Sequence, residues 1–332
     1  MRVLFIGGSG TISSACAKKC WETGIDLWVL VRGTRDHRIA RKDRIIHGDV
    51  KQNLNDVIAK LTPEMWDCVV DWVAFDPGDI ARDFKLFYKK TKKFIYISST
   101  SVYRKPLLKI PVTEDAPIGN KFFSEADEKA EAERLLMELY RDNGFPAMIV
   151  RPGHVYSDFV PITGIKGMGF GLMDRIMKGK PILVHGDGTG LWSAMYNEDF
   201  AEAFVPLMCH EGTVGEVVQI ASDQFLTWAQ IYQMTGEVLG KSVELVTASA
   251  DLIYSYDPEI GATLLGDKAY SYLFDISKLR KFVPGFKVKI SFAEGVKRSA
   301  QYYLDHASEF QPKQIINELM DKIIAHVRSE VG

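Results

Sequence analysis

Runs rich in apolar, β-favouring residues recur along the first two thirds of the chain, at positions 3–6, 27–31, 44–47, 68–74, 94–98, 147–150 and 217–221. Within them apolar residues sit mostly at adjacent positions and do not alternate with polar ones, the pattern of strands covered on both faces. The segments between them at 11–23, 52–60, 79–89, 122–142 and 197–209 carry helical patterns. Strand and helix in alternation predict parallel βαβ units, and hence an α/β chain built on a doubly wound parallel sheet.

The rhythm breaks after position 150. Residues 157–191 are rich in Gly and Pro, which predicts ligand-facing loops with one short helix near 170–178. Further helices are expected at 227–239, 291–306 and 311–328. In the last, Ile315, Ile316, Leu319, Met320, Ile323, Ile324 and Val327 form one apolar stripe, suited to the chain's own core or to a second subunit.

The first apolar run, Val3–Ile6, leads straight into Gly7-Gly8-Ser9-Gly10-Thr11-Ile12-Ser13. A strand, a glycine turn and a helix in this order form the context in which glycines let a backbone approach a pyrophosphate. The helix start, Thr11 and Ile12, would offer unpaired N–H groups and a partial positive charge to the phosphates. Gly7 and Gly10 are therefore candidate dinucleotide contacts. Ser13 stands where a third glycine would complete the fingerprint, and a plain strand-to-helix turn would use the same residues. The second run, Leu27–Val31, is followed by Arg32-Gly33-Thr34-Arg35, with no carboxylate placed to meet a ribose hydroxyl. Arg32, helped by Arg35, suits a 2′-phosphate, because a guanidinium donates two parallel hydrogen bonds. The expected cofactor is NADP(H), with NAD(H) as the alternative.

The chain has 332 residues, 46% hydrophobic and 25% charged, with a formal net charge of -2. That balance suits a large globular core and supplies no global field for nucleic acid or an anionic membrane. The basic runs at 38–44 and 89–93 are short and read as solvated surface. No apolar stretch reaches the ~20 residues of a membrane span, and the early glycines interrupt any secretory pattern, so a cytoplasmic location is expected. Four cysteines, Cys16, Cys20, Cys68 and Cys209, complete no metal-ligand set and read as core thiols in a reducing compartment. No metal is expected.

With these residues in view the chain resembles the extended short-chain dehydrogenase/reductase family, which includes NAD-dependent epimerases, dehydratases and atypical members. The resemblance rests on Gly7–Gly10, on His47-Gly48-Asp49-Val50, and on Phe94–Ile97 followed by Ser98-Ser99-Thr100-Ser101-Val102-Tyr103. It extends to Arg151-Pro152-Gly153-His154-Val155-Tyr156 and Asn197-Glu198-Asp199-Phe200-Ala201. It implies a Rossmann-type dinucleotide domain over 1–165, with about 192–224 returning to it. A smaller α+β substrate lid would comprise 166–191 and 225–332. It also implies that Asp49 meets the adenine and allows a homodimer.

The family's chemistry uses a Ser or Thr, a Tyr, and a Lys four residues after the Tyr. By resemblance Ser99 and Lys129 take the outer two roles, with Lys129 also holding the cofactor ribose. Glu125 occupies the Tyr position. A free Glu has a pKa of about 4.3 against about 10 for Tyr, so it can accept a proton but does not readily donate one. Glu125 is thus either a general base or an ordinary helix-surface partner of Lys129, and some atypical reductases of the family work through Lys without Tyr. The family's 4,6-dehydratases carry Asp-Glu after the catalytic hydroxyl, where this chain has Thr100-Ser101, which argues against that elimination chemistry. Tyr103, Tyr156 and His154 are alternative acid–base candidates, and Tyr103, His154, Trp192, His185 and Asp187 are candidates for substrate contact, each with a packing or turn role as the alternative. The resulting expectation is an NAD(P)-dependent oxidoreductase or epimerase acting on a carbonyl or sugar-like substrate, nucleotide sugars included. The alternative is a non-catalytic NAD(P)-binding regulatory or RNA-associated protein of the same fold.

Overall fold

A computed structural model describes residues 1–61 and 65–331. In chain order the first elements are β1 (Arg2–Ile6), α1 (Thr11–Glu22), β2 (Asp26–Val31), β3 (Ile45–His47), α2 (Leu54–Leu61) and β4 (Cys68–Asp71). Then come α3 (Pro77–Phe87), β5 (Phe94–Ile97), α4 (Ser124–Asn143), β6 (Ala147–Pro152), β7 (His154–Tyr156) and α5 (Gly171–Met177). The chain continues through β8 (Ile182–His185), β9 (Leu191–Tyr196), α6 (Asn197–Cys209), β10 (Val217–Ile220), β11 (Phe225–Thr227), α7 (Trp228–Val238) and β12 (Leu245–Ala248). It closes with α8 (Ala250–Tyr256), α9 (Pro258–Thr263), α10 (Ser277–Phe282), α11 (Phe292–Asp305) and α12 (Gln314–Val331).

Seven strands form one parallel sheet in the order β10-β6-β5-β4-β1-β2-β3. Alternate residues of each strand feed opposite faces. Val3 and Phe5 join Cys16, Cys20 and Phe204 in the layer of α1 and α6, while Leu4 and Ile6 join Ile80, Phe87 and Leu136 in the layer of α3 and α4. Both faces are covered, which explains the non-alternating runs in the sequence. From β1 the chain runs outward to β3, then returns to β4 on the other side of β1, so the strand order reverses there. In such sheets ligands bind beyond the carboxyl ends of the strands at the reversal.

Several expectations shift. The run 68–74 ends as a strand at Asp71, because its buried Oδ1 accepts the N–H groups of Val73 (2.6 Å) and Ala74 (2.7 Å) and turns the chain. Arg44 belongs to a 3₁₀ turn, so the third strand begins at Ile45. Helix α4 ends at Gly144, whose φ of +68° suits glycine at a helix C-terminus. Segment 191–196 pairs with β7 and β11 in a separate three-stranded sheet. Strand β10 does close the main sheet. β8 and β12 form a third, two-stranded sheet, against which α12 docks through Met320, Ile323 and Ile324. No helix among the described residues is long and apolar enough to cross a membrane.

Candidate active site

The glycine turn after β1 is shaped first by the chain's own packing. Gly7 has φ +80°, and a Cβ there would lie 2.6 Å from Val73 Cγ1; at Gly8 it would lie 2.2 Å from Val29 Cγ1. Gly10 caps α1, and its N–H donates to Ser13 Oγ at 3.0 Å. Ser13, in place of a third glycine, thus ties the turn to the helix. The first N–H groups of α1 have no partner within the helix by its geometry, and they carry the positive end of its dipole.

Two cavities open on this turn. One, of about 470 Å³, runs from Arg32, Arg35 and Asp49 to Gly7–Gly10. The other, of about 490 Å³, runs from Gly10, Thr11 and Ile12 to Ser99, Lys129, His154, Trp192 and Asp267. Gly10, Ser13 and Trp72 line both, so the two form one groove across the strand ends. A groove with a helix N-terminus at its middle has room for a dinucleotide laid end to end. Asp49 closes a turn by accepting Lys51 N–H at 2.9 Å while still lining the groove. Arg32 is exposed, and neither it nor Arg35 pairs with a carboxylate among the described residues.

At the other end stand Ser99 and Lys129. Ser99 leaves the tip of β5, and its Oγ lies 2.8 Å from Ser101 Oγ and accepts Ser101 N–H at 3.1 Å. Lys129 reaches inward from α4 over the rings of Phe75 (5.1 Å) and Tyr96 (5.4 Å), and its Nζ donates to Ile97 O at 3.1 Å. Burial lowers its pKa to about 8, opposed by Asp71, Glu133, Asp79 and Glu125.

Glu125 does not line this cavity. It sits exposed on the first turn of α4, and its carboxylate meets Lys166 at 3.1 Å, which also meets Glu259 at 3.1 Å. The i,i+4 spacing placed Glu125 and Lys129 near one face, but the long lysine stem enters the cleft while the shorter carboxylate stays at the rim. Tyr103 is also outside: it is fully buried, its hydroxyl donates to Gln219 Oε1 at 2.8 Å, and the Arg151 guanidinium covers its ring. Tyr156 is core, against Tyr196 and Gly295. Asp187 closes its own turn with Thr189. His185 is buried, with Nε2 bonded to Lys268 O at 2.8 Å.

His154 and Trp192 do line the cavity, in altered roles. Trp192 donates its indole N–H to His154 Nδ1 at 2.9 Å. Burial, reinforced by Lys268, lowers the His154 pKa to about 3. The ring is therefore neutral with its proton on Nε2, a hydrogen-bond donor and not an acid–base group near pH 7. Trp192 packs against Trp228 (5.1 Å) and Tyr272 (5.7 Å), so it forms wall. Asp267, Lys268 and Tyr272 also line the cavity. They lie in the loop-rich stretch, where no periodic pattern marked them.

The basic runs pair largely within the chain. Arg41 meets Asp43, Arg44 meets Asp26, Lys92 meets Asp67, and Lys93 is buried on Met208 O and Thr213 Oγ1. Cys16, Cys20 and Cys68 are buried, with thiols pushed up by burial.

Comparison with known proteins bears on this groove. The model of the NAD dependent epimerase/dehydratase family matches residues 3–221. A trifunctional UDP-glucose 4,6-dehydratase/UDP-4-keto-6-deoxy-D-glucose 3,5-epimerase/UDP-4-keto-L-rhamnose-reductase of Arabidopsis thaliana is 27% identical over 222 residues. The match covers 64% of this chain and 29% of that protein, so the chain spans less than a third of the plant relative. A 2′-dehydrokanamycin reductase of Streptomyces kanamyceticus is 22% identical, over 86% of this chain and 80% of its own length. Among solved structures, an epimerase from Methanothermobacter thermautotrophicus superposes with a TM-score of 0.76 at 18% identity, over 92% of this chain and 93% of its own. At that identity it shares the fold.

Proposed function

The chain belongs to the NAD dependent epimerase/dehydratase family, and from that membership we propose that it is a nicotinamide-dependent oxidoreductase or epimerase acting on a sugar nucleotide or a similar hydroxyl- or carbonyl-bearing substrate. The continuous groove from Arg32 past Gly10 to Ser99 and Lys129 carries this reading. Bound there, the nicotinamide would supply hydride chemistry at a substrate carbon. The chain's residues do the rest. Gly7, Gly10, Thr11 and Ile12 cradle phosphate, and Asp49 meets the adenine end. Lys129 holds the ribose and presents a cation, and Ser99 hydrogen-bonds the substrate oxygen. The exposed Arg32, without a carboxylate partner among the described residues, favours NADP(H) over NAD(H).

Epimerisation or carbonyl reduction is favoured over 4,6-dehydration. Ser101 is tied to Ser99, and Thr100 O accepts the Tyr272 hydroxyl, so neither position offers an acid for elimination. A non-catalytic nicotinamide-binding role is the second reading, favoured by the engagement of Glu125 with Lys166.

Turnover separates the two readings. UDP-glucose and UDP-4-keto-L-rhamnose are incubated with the protein and either nicotinamide, and products are read by mass spectrometry and sugar analysis. The proposal expects conversion that falls by about 10²-fold or more in Lys129→Met. Full activity in that variant contradicts it.

A further inference from the structure

Asp267 lies in a single π-type turn, Leu264–Lys268, where Ala269 N–H donates to Leu264 O at 2.9 Å. Such turns recur at functional sites because they aim a side chain that a regular helix would not. Asn120 clamps this one, donating from Nδ2 to Gly266 O (2.7 Å) and to Ser101 O (2.9 Å). A Cβ at Gly266 would lie 2.7 Å from Phe123 Cβ and 2.9 Å from Asn120 Oδ1. The turn is therefore pressed against the two segments that carry Ser99 and Lys129, and Asp267 joins them in lining the cavity.

Asp267 Oδ1 is buried with no hydrogen-bond partner among the described residues. The nearest cations stand off: Lys105 Nζ is 4.0 Å from Oδ1 and Lys268 Nζ is 3.8 Å from Oδ2. Oδ1 has no exposed surface and faces the buried Lys105 Nζ, so the carboxylate meets the cavity through its other atoms. The other titratable groups of the cavity are engaged or are donors. Lys129 donates to Ile97 O, and His154 Nδ1 is taken by Trp192. The Tyr272 hydroxyl donates to Thr100 O and accepts from Lys105 Nζ at 3.0 Å. Asp267 is the one carboxylate among the described residues of this wall.

We propose that Asp267 exchanges the proton of the substrate hydroxyl, the task left without a residue by the absence of a tyrosine one turn before Lys129. The proposal rests on the functional reading above. In the oxidative direction the substrate O–H bond breaks and its proton passes to the Asp267 carboxylate. The oxygen electron pair forms the carbonyl, and the carbon's hydrogen leaves with its two electrons for the oxidised nicotinamide. Reduction returns both. Burial raises the Asp267 pKa, opposed by Lys268 and Lys105, which brings the carboxyl closer to neutral pH.

Asp267→Asn, nearly the same shape, tests this on the full chain. Calorimetry with NADPH is expected to give an affinity within about twofold of wild type, while kcat on UDP-glucose or UDP-4-keto-L-rhamnose falls by about 10²-fold or more. In wild type, oxidation is expected to fall away at acid pH as Asp267 protonates. That limb should vanish in Asp267→Asn and survive in Asp267→Glu. Retention of rate and acid limb in Asp267→Asn overturns the assignment. Infrared difference spectra of wild type against Asp267→Asn decide it without a rate measurement. The Asp267 carboxyl band is expected to shift when UDP-glucose is added with the oxidised nicotinamide, and a band that UDP-glucose leaves unmoved overturns the assignment. Failure of wild type to bind any nicotinamide or convert any sugar nucleotide is a separate result, which sinks the functional reading itself.

Discussion

Arg32 is where a single side chain decides most. It directly follows the last residue of β2 and is exposed, with no carboxylate partner among the described residues. Arg32→Ala is expected to weaken NADPH about tenfold, roughly 1.4 kcal/mol, and to leave NADH unchanged in the same titration. Equal losses for both nucleotides would place Arg32 elsewhere than on a 2′-phosphate. Two histidines give a second expectation at this scale. Burial lowers His154 to about 3 and His185 to about 4 from the usual 6.5. Between those values and 6.5 the unfolded chain binds protons that the folded chain refuses. Stability is therefore present above pH 6.5 and lost as pH falls toward 3. Urea unfolding across that range should show the loss, and His154→Gln with His185→Gln should reduce it. The sequence could name these residues but not their environments: the family resemblance singled out Ser99 and Lys129, which line one cavity, yet it could not show that Trp192 fixes the His154 proton or that Lys166 draws Glu125 to the rim.

Helix α4 joins the site to the sheet. Its inner face carries Glu133, buried, which meets Arg151 of β6 at 2.6 Å, and Arg151 also donates to Glu114 O at 3.0 Å. Removing one partner strands a buried charge, so Glu133→Ala is expected to lower unfolding free energy by about 3–5 kcal/mol in chemical denaturation. A change under 1 kcal/mol would mean that water reaches the pair. Because Lys129 sits one turn away on the same helix, loosening this clasp should also weaken Lys129-dependent turnover. Elements of the seven-stranded sheet were legible because burial on both faces leaves unbroken apolar runs. The short strands β7, β8, β9, β11 and β12 were not. They span three to six residues each and lie among glycines and turns. Local pattern cannot fix a pairing made across some thirty to sixty positions.

Over the whole molecule, a parallel sheet sets a helix N-terminus and the β5 tip along one groove. The C-terminal elements then close that groove's far end with Asp267, Lys268 and Tyr272. The first half of this arrangement was readable from the glycine turn and the Ser99 segment. The second half was not, since the π-type turn depends on Asn120 and on the space left at Gly266, contacts that no periodicity reports. The central claim is that this groove holds a nicotinamide dinucleotide. Its most direct test is calorimetric titration of the protein, stripped of any copurified nucleotide, with NADPH and then NADH. The expected result is one-site binding of NADPH, with NADH weaker by about tenfold. Binding of neither nucleotide by folded protein would contradict the account.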